Sequence, residues 1–146
     1  MEIIFSEAKV QDAAAIQNLY QQLVNDPNIN VCPEQIQELE LDKYNFLFVG
    51  KKEGVVIATA LLTICRDVMY GDQPFAVLEN VVIDSNCRGQ GVGQFFMKHI
   101  ISHSKLFKCT KIMLLSSSKR SEAHAFFEKC GFQGNSKFGF VNYINR

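Results

Sequence analysis

A glycine-rich stretch between an apolar segment and an amphipathic segment constrains the fold of this chain more than any other feature. Residues 75–83 (FAVLENVVI) have the β-branched composition of a strand, and residues 93–104 have the apolar spacing of a helix. The connection carries three alternating glycines, Gly89, Gly91 and Gly93. Since a short apolar run follows at 112–115, we expect a helical crossover that makes the two strands parallel neighbours.

The other segments predict one mixed α+β domain over residues 1–146. Apolar runs predict strands at 3–5, 46–51, 55–65 and 138–144, with the second and third paired as a hairpin through Glu53-Gly54. Helices are predicted from Asp12, which is expected to act as a cap, from Pro33 to Leu41, and from Glu122 to Cys130. The early strands are expected to be antiparallel, and a length of 146 residues suits a single core.

Charge and cysteine usage exclude several classes of protein. Fifteen basic residues balance fifteen acidic ones, so a nucleic-acid partner is not expected. No apolar run is long enough to span a membrane and no signal segment is visible, so we expect a cytoplasmic protein without a membrane partner. The five cysteines are an odd number without a C-x-x-C pair, which favours reduced, mostly buried thiols over disulfides or a metal site.

The glycine-rich stretch has the chemistry of an anion site. Glycine lets the backbone approach a ligand closely, and a helix that starts after it directs free N–H groups and a positive dipole towards the loop. Arg88 adds a cation. A dinucleotide-binding G-x-G-x-x-G would need glycine at Gln94, and the P-loop pattern is absent. A glycine turn that only tightens the corner between strand and helix is the alternative.

Three features together resemble the GNAT N-acetyltransferase superfamily. The strand, loop and helix of residues 78–96 (LENVVIDSNCRGQGVGQFF) contain the pattern R-x-x-G-x-G and are similar to its acetyl-CoA pyrophosphate motif. Residues 123–132 (AHAFFEKCGF) are similar to its later helix with Gly-Phe. The opening matches the first helix of that family at Ala8, Asp12, Ile16 and Leu19.

The resemblance implies a fold and a way of holding acetyl-CoA as co-substrate. The fold would be a central mixed, largely antiparallel sheet, splayed between its fourth and fifth strands and flanked by about four helices. The pantetheine arm would pair with the backbone of Val81, Val82 and Ile83, and the Val82 N–H would polarise the thioester carbonyl. The pyrophosphate would be bound by backbone N–H groups of Gly89, Gln90, Gly91, Val92, Gly93 and Gln94.

Glu79 is the candidate general base of such an enzyme. Acetyl transfer to an amine needs a deprotonated amine, and a carboxylate can remove its proton directly or through water. Members of the similar family often have an acidic residue at this place. If Leu78 and Asn80 point to the opposite face of the strand, Glu79 faces the cleft. The alternative is a solvent-facing glutamate without a role.

The later helix departs from the family pattern at one position. A tyrosine often stands there to protonate the leaving thiolate, but this chain has Phe127, which has no proton to give. We expect Phe127 to pack against the pantetheine arm or in the core, and Arg120 to reach the phosphates of the cofactor unless it is simply solvated. Ser117, Ser118, His124 or water remain candidate donors.

The predicted function is therefore acetyl transfer from acetyl-CoA to a primary amine of a small molecule or peptide. Residues 25–44 and 67–74, which carry several carboxylates, are expected to line the acceptor site. A non-catalytic acyl-CoA-binding module and a nucleotide-phosphate binder are the alternatives. No metal is predicted, because His99 and His103 are better explained as histidines at the edge of the core. A homodimer would be common among similar proteins.

Overall fold

Five strands form one mixed sheet in the computed structural model, which describes residues 2–145. The elements in chain order are β1 (Ile3–Glu7), α1 (Ala13–Leu23), α2 (Pro33–Glu40), β2 (Asn45–Lys52), β3 (Val55–Cys65), β4 (Phe75–Ile83), α3 (Val92–Leu106), β5 (Ile112–Leu114) and α4 (Ser121–Lys129). The strands lie in sequence order, antiparallel from β1 to β4 and parallel between β4 and β5. This confirms the predicted α+β class with a largely antiparallel sheet and four helices.

The chain divides into two compact units between Leu114 and Leu115. The first unit contains the whole sheet and helices α1 to α3, and the second contains α4. The expectation of one domain over 1–146 stays a prediction. Within residues 2–145, no helix is both long and apolar enough to cross a bilayer.

The hairpin of β2 and β3 follows directly from its turn residues. Glu53 and Gly54 have φ angles of +52° and +78°, the left-handed pair that a two-residue hairpin turn requires. The strands pair from Lys52–Val55 to Asn45–Thr63, with an irregularity at Gly50–Lys51. The predicted hairpin is confirmed.

Helices α1 and α2 cover one face of the sheet. Ile16 of α1 and Ile36 of α2 pack with Leu47 and Val49 of β2 in one buried cluster. Leu61 of β3 is packed against the same cluster. We call this the α1/α2 face of the sheet.

Helix α3 covers the opposite face through aromatic contacts. Phe96 of α3 is fully buried, and its ring centroid lies 5.4 Å from that of Phe5 in β1. Gly50 of β2 allows this close approach, because a Cβ there would lie 3.3 Å from the Phe96 ring. We call this the α3 face of the sheet.

The two histidines of α3 lie at the edge of the α3 face. The ring of His99 is 4.9 Å from Phe5, and the ring of His103 is 4.4 Å from Phe46 and 5.0 Å from Phe48. Both are half-buried, as expected for histidines at the edge of the core. Among residues 2–145 there is no group of three or more His, Cys, Asp or Glu that could hold a metal ion.

A buried ion pair connects the start of α1 to β2. The Lys51 Nζ lies 3.0 Å from Asp12 Oδ1, and the Asp12 side chain is only 5% exposed. The Lys9 N–H donates to Asp12 Oδ2 at 2.8 Å. Asp12 occupies the expected position before α1, but its side chain does not cap that helix. The prediction of a cap is wrong because Asp12 closes a preceding 3₁₀ turn (Val10–Asp12) and points back to Lys9.

Two further expectations are corrected by the structure. Residues 138–144 were expected to form a strand from their aromatic and apolar pattern, but no strand is assigned there, and Phe138 and Phe140 are about nine-tenths exposed (90% and 91%). A strand is stabilised by hydrogen bonds to a neighbouring strand and by burial of one of its faces. A suitable side-chain pattern by itself provides neither the neighbour nor the surface to bury against. The five cysteines are free thiols, but each is half-buried and none is buried.

We predict that Lys51→Met lowers the free energy of unfolding by about 1–3 kcal/mol, because it leaves the buried Asp12 carboxylate without its cation. Lys9→Met is the matched control. It removes an ion pair with Glu40 whose side chains are 52% and 28% exposed, and it should cost about 0–1 kcal/mol. Urea unfolding of both variants measures the difference. Equal losses would contradict the assignment.

His103 predicts a pH dependence of stability. Burial lowers the pKa of its imidazole, and the charge of Glu7 opposes that effect in part. Because the unfolded chain then binds a proton more readily than the folded one, stability is lost as pH falls below about 7 towards the folded pKa. The unfolding free energy of His103→Phe, measured by urea titration, should decrease less over this range than that of the wild type. Parallel curves would show that His103 does not contribute.

Candidate functional site

Strand β4 is paired on both sides only along its first half. Its parallel ladder with β5 runs from Ala76–Ile112 to Leu78–Leu114 and stops there, because β5 ends at Leu114. On the other side, β3 continues to pair with β4 as far as Ile83. The backbone from Glu79 to Ile83 is therefore open on the side of β5, which is the splay that the resemblance implied.

A bulge in β4 changes the direction of its side chains at the start of the open half. Asn80 has a left-handed φ of +55°, and the register with β3 shifts between Thr59 and Leu61. Glu79 is opposite Leu61 and Val82 is opposite Thr59. Since paired residues share a face, Glu79 and Val82 both belong to the α1/α2 face although they are three positions apart.

Asn80 was expected to point away from Glu79, like Leu78, and this is wrong. Leu78 pairs with Leu62 and is buried, as expected. The Asn80 side chain is close enough to Tyr20 of α1, which packs on the α1/α2 face, to affect the pKa of its phenol. Burial raises the pKa of Tyr20, and Asn80 opposes that rise. The bulge is the reason, because alternation of side chains holds only in a regular strand.

The register also decides which N–H groups of β4 are available. The Asp84 N–H donates to Ile57 O at 2.8 Å, so these residues form a hydrogen-bonded pair. Antiparallel pairs alternate, and the next pair of this kind is Val82 with Thr59. The Val82 N–H is therefore directed at β3, which corrects the role expected for it. The Ile83 N–H, in the regular part of the strand, faces the open side instead, whereas Val81 lies in the bulge.

The glycine loop has the backbone conformation that its residues suggested. Gly89 and Gly91 have φ angles of +79° and +80°, and no atom lies within 4 Å of a Cβ placed on either. Glycine is favoured at both positions because of the left-handed backbone conformation, since a side chain there would have enough space. Gly91 is the N-cap of α3, and the first bond of the helix is from the Phe95 N–H to Gly91 O at 3.1 Å.

A row of free donors follows from this geometry. Among the turn, loop and cap hydrogen bonds of the described residues, none has an N–H of residues 88–94 as its donor. Residues 88–91 are exposed to solvent. The positive end of the α3 dipole lies at the same place, and the exposed Arg88 is adjacent, with its Nε donating weakly to Ile83 O at 3.4 Å. The arrangement suits a phosphate or pyrophosphate.

Sequence reasoning missed one contact at the base of this loop. Gln22 in the last turn of α1 accepts from the Ser85 N–H at 2.9 Å and donates to Asp84 Oδ1 at 3.3 Å. These residues are more than 60 positions apart, so no local pattern could have indicated the pairing.

Arg120 and Phe127 belong to the second unit, where each has a local setting. Arg120 is exposed and immediately precedes α4. Phe127 is half-buried, with ring contacts to Phe126 at 5.3 Å and Phe132 at 6.0 Å. His124 donates its Nε2–H to Ser117 O at 2.7 Å. In its neutral form this ring has no second proton, so His124 is a weaker candidate acid than its position suggested.

Several carboxylates of the expected acceptor segments are engaged in local structure. Asp26, Asp42 and Asp67 each accept from a backbone N–H two residues later, at 2.8, 2.8 and 3.0 Å. The Tyr44 N–H is the main reason why the pKa of Asp42 is lowered. Glu40 is paired with Lys9. The three aspartates stabilise turns and Glu40 forms an ion pair, so these four carboxylates have local partners.

The chain is similar to known acetyltransferases. Residues 13–132 match the model of the Acetyltransferase (GNAT) family. Over 80 residues it is 30% identical to the probable glucosamine 6-phosphate N-acetyltransferase 2 of Oryza sativa subsp. japonica, covering 55% of this chain and 46% of that protein. A glucosamine 6-phosphate N-acetyltransferase of Arabidopsis thaliana is 27% identical over 113 residues, 77% of this chain and 74% of that protein.

One solved structure extends the similarity to the full fold. A protein from Agrobacterium tumefaciens str. C58, provisionally classed as an acetyltransferase, superposes with a TM-score of 0.87 and 30% identity. The match covers 97% of this chain and 99% of that chain. By contrast, the chain aligns with less than half (46%) of the rice relative.

Proposed function

Because this chain belongs to the GNAT acetyltransferase family, we propose that it is an N-acetyltransferase that moves an acetyl group from acetyl-CoA to a primary amine. The observation that supports this most is the row of free N–H groups at residues 88–94, beside the open half of β4. A pyrophosphate needs such donors, and an extended arm needs an unpaired strand edge. Both requirements are met next to each other on one strand and its following loop.

The residues present fit the two parts of the cofactor. The N–H groups of Gly89 to Gln94 and the Arg88 guanidinium suit the pyrophosphate, where the helix dipole also favours negative charge. The open backbone of Val81 and Ile83 suits the amides of the pantetheine arm, which would add to β4 in place of a longer β5. Contacts of Arg120 and Phe127 with the cofactor stay predictions.

Acetyl-CoA supplies a thioester whose carbonyl carbon is attacked by the amine while the C–S bond breaks. In this chain the N–H of Val81, which lies in the bulge where β4 has lost its β5 partner, is the donor we assign to the carbonyl oxygen. Glu79 is exposed at the start of the open half and is the base we assign to the ammonium proton. Phe127 supplies no proton, so the thiolate takes one from solvent, which a thiol pKa of about 8.5 permits.

We propose a small amine as acceptor, and glucosamine 6-phosphate is the first compound to test, because relatives at 27–30% identity carry it in their names. A peptide amine is the other acceptor class. We also propose a cytoplasmic location, since all five cysteines are free thiols. A homodimer stays a prediction.

Binding of the cofactor is tested first by thermal shift with CoA, acetyl-CoA, ATP and NAD. At 100 times its Kd, a ligand of the native state adds about 2.7 kcal/mol of stability. We expect a shift with CoA and acetyl-CoA alone, followed by thiol release in the presence of acetyl-CoA and glucosamine 6-phosphate. Stabilisation by ATP or NAD and not by CoA would contradict the proposal. CoA binding without turnover on a panel of amines would favour a non-catalytic module, the alternative that Phe127 supports.

We predict that Glu79→Gln lowers kcat by about 100-fold or more while CoA binding is retained, because the amine loses its base. The loss should become smaller as pH rises, since a larger fraction of the amine is then deprotonated without help. Glu53→Gln, at an exposed position in the β2–β3 turn, is the matched control and should leave kcat unchanged. Thiol release measured across pH tests both variants. Wild-type turnover in Glu79→Gln would remove Glu79 from the mechanism.

A further inference from the structure

Helix α1 reaches the glycine loop through one side-chain amide. The Ser85 N–H donates to Gln22 Oε1 at 2.9 Å, and Gln22 Nε2 donates to Asp84 Oδ1 at 3.3 Å. The amide thus uses both its acceptor and one donor on two consecutive residues. One bond holds the backbone of the turn at Ser85 and the other holds the Asp84 carboxylate, so together they restrain both the distance and the orientation of the turn.

Asp84 is the centre of the turn that carries the loop. Its N–H donates to Ile57 O at 2.8 Å, and its carbonyl accepts from the Cys87 N–H at 2.9 Å. Its carboxylate accepts from the Asn86 N–H at 3.3 Å as well as from Gln22. Strand β3 therefore holds the backbone of Asp84, and α1 holds its side chain.

The loop beyond this turn has few contacts of its own. Gln90 Nε2 donates to Asn86 O at 3.4 Å, and Arg88 Nε donates to Ile83 O at 3.4 Å. Both bonds are long and exposed. The position of the free N–H groups at 88–94 therefore depends mainly on two fixed points, the turn at Asp84–Cys87 and the start of α3.

A second glutamine of α1 also uses both ends of its amide, on another segment. Gln17 Nε2 donates to Ile29 O at 2.8 Å, and the Val31 N–H donates to Gln17 Oε1 at 2.7 Å. Residues 29–31 lie in one of the segments expected to line the acceptor site. Helix α1 therefore holds two irregular segments by amide side chains, residues 29–31 through their backbone and Asp84–Ser85 through one carboxylate and one N–H.

We propose that Gln22 is a positioning residue for binding of the CoA pyrophosphate, and this inference rests on the proposed function. Gln22 does not touch the ligand; it holds Asp84 and Ser85 so that the donors of the loop are already ordered. A loop that is ordered before binding loses less conformational entropy when the ligand arrives. Without Gln22 the same donors are present, and part of their binding free energy is used to order the turn.

The test compares Gln22→Leu with Gln21→Leu by calorimetry of CoA binding. Gln21 is the adjacent residue, is exposed, and makes no side-chain hydrogen bond in the described structure, so it controls for the substitution itself. Glutamine and leucine have similar helix propensity. We expect the Kd of CoA to rise about three- to tenfold in Gln22→Leu, from the net value of one or two hydrogen bonds. In Gln21→Leu it should stay within about twofold of the wild type.

Pantetheine, measured as a competitor of CoA, separates positioning of the loop from general damage. It carries the arm without the pyrophosphate, so its inhibition constant should not change in Gln22→Leu. A loss of affinity for pantetheine as large as that for CoA would show a structural defect and overturn the inference.

The possible failures are distinguishable. If the wild type binds CoA and Gln22→Leu binds it equally well, this inference alone is wrong. If the wild type does not bind CoA, the proposed function fails and this inference falls with it.

Discussion

The parallel ladder between β4 and β5 ends at Leu78, and the candidate site depends on that limit. Had β5 continued beyond Leu114, the backbone of Val81 and Ile83 would have been saturated by another strand. An unpaired strand edge normally invites aggregation or another strand. Here the open edge is short, because it begins after Leu78 and β4 ends at Ile83. The glycine loop follows from Arg88. The extended arm of a cofactor is a partner that fits this length and supplies amides of its own.

Helix α1 connects two irregular segments with polar side chains while its other face is buried. Ile16 lies in the core cluster and Tyr20 packs against it, whereas Gln17 and Gln22 bond to residues 29–31 and to Asp84–Ser85. An amphipathic helix normally turns such residues to solvent. Here these side chains supply hydrogen-bond partners to backbone segments that belong to no helix or strand and so have no ladder of their own.

Sequence reasoning was accurate where the determinants are local. The β4 strand, the hairpin with left-handed Glu53 and Gly54, and the glycine conformation before α3 follow from residue type and spacing, and all are confirmed. It failed where a distant partner decides the outcome. Asp12 was expected to cap α1 but bonds to Lys9 and Lys51, and residues 138–144 have the pattern of a strand without being one. The β-propensity of a segment describes which conformation its residues tolerate, whereas strand formation also requires a sheet edge with which the segment can pair.

The sequence by itself determined the family, the order of the elements as far as α4 and the location of the glycine loop, because these depend on periodicity and on glycine at particular positions. The tertiary structure alone decided which N–H groups of β4 are free and which way Glu79 faces. Both depend on the bulge at Asn80 and on the pairing of Asp84 with Ile57, which set the phase of the strand. A shift of one residue in register reverses every side chain and amide that follows, and no single segment contains that information.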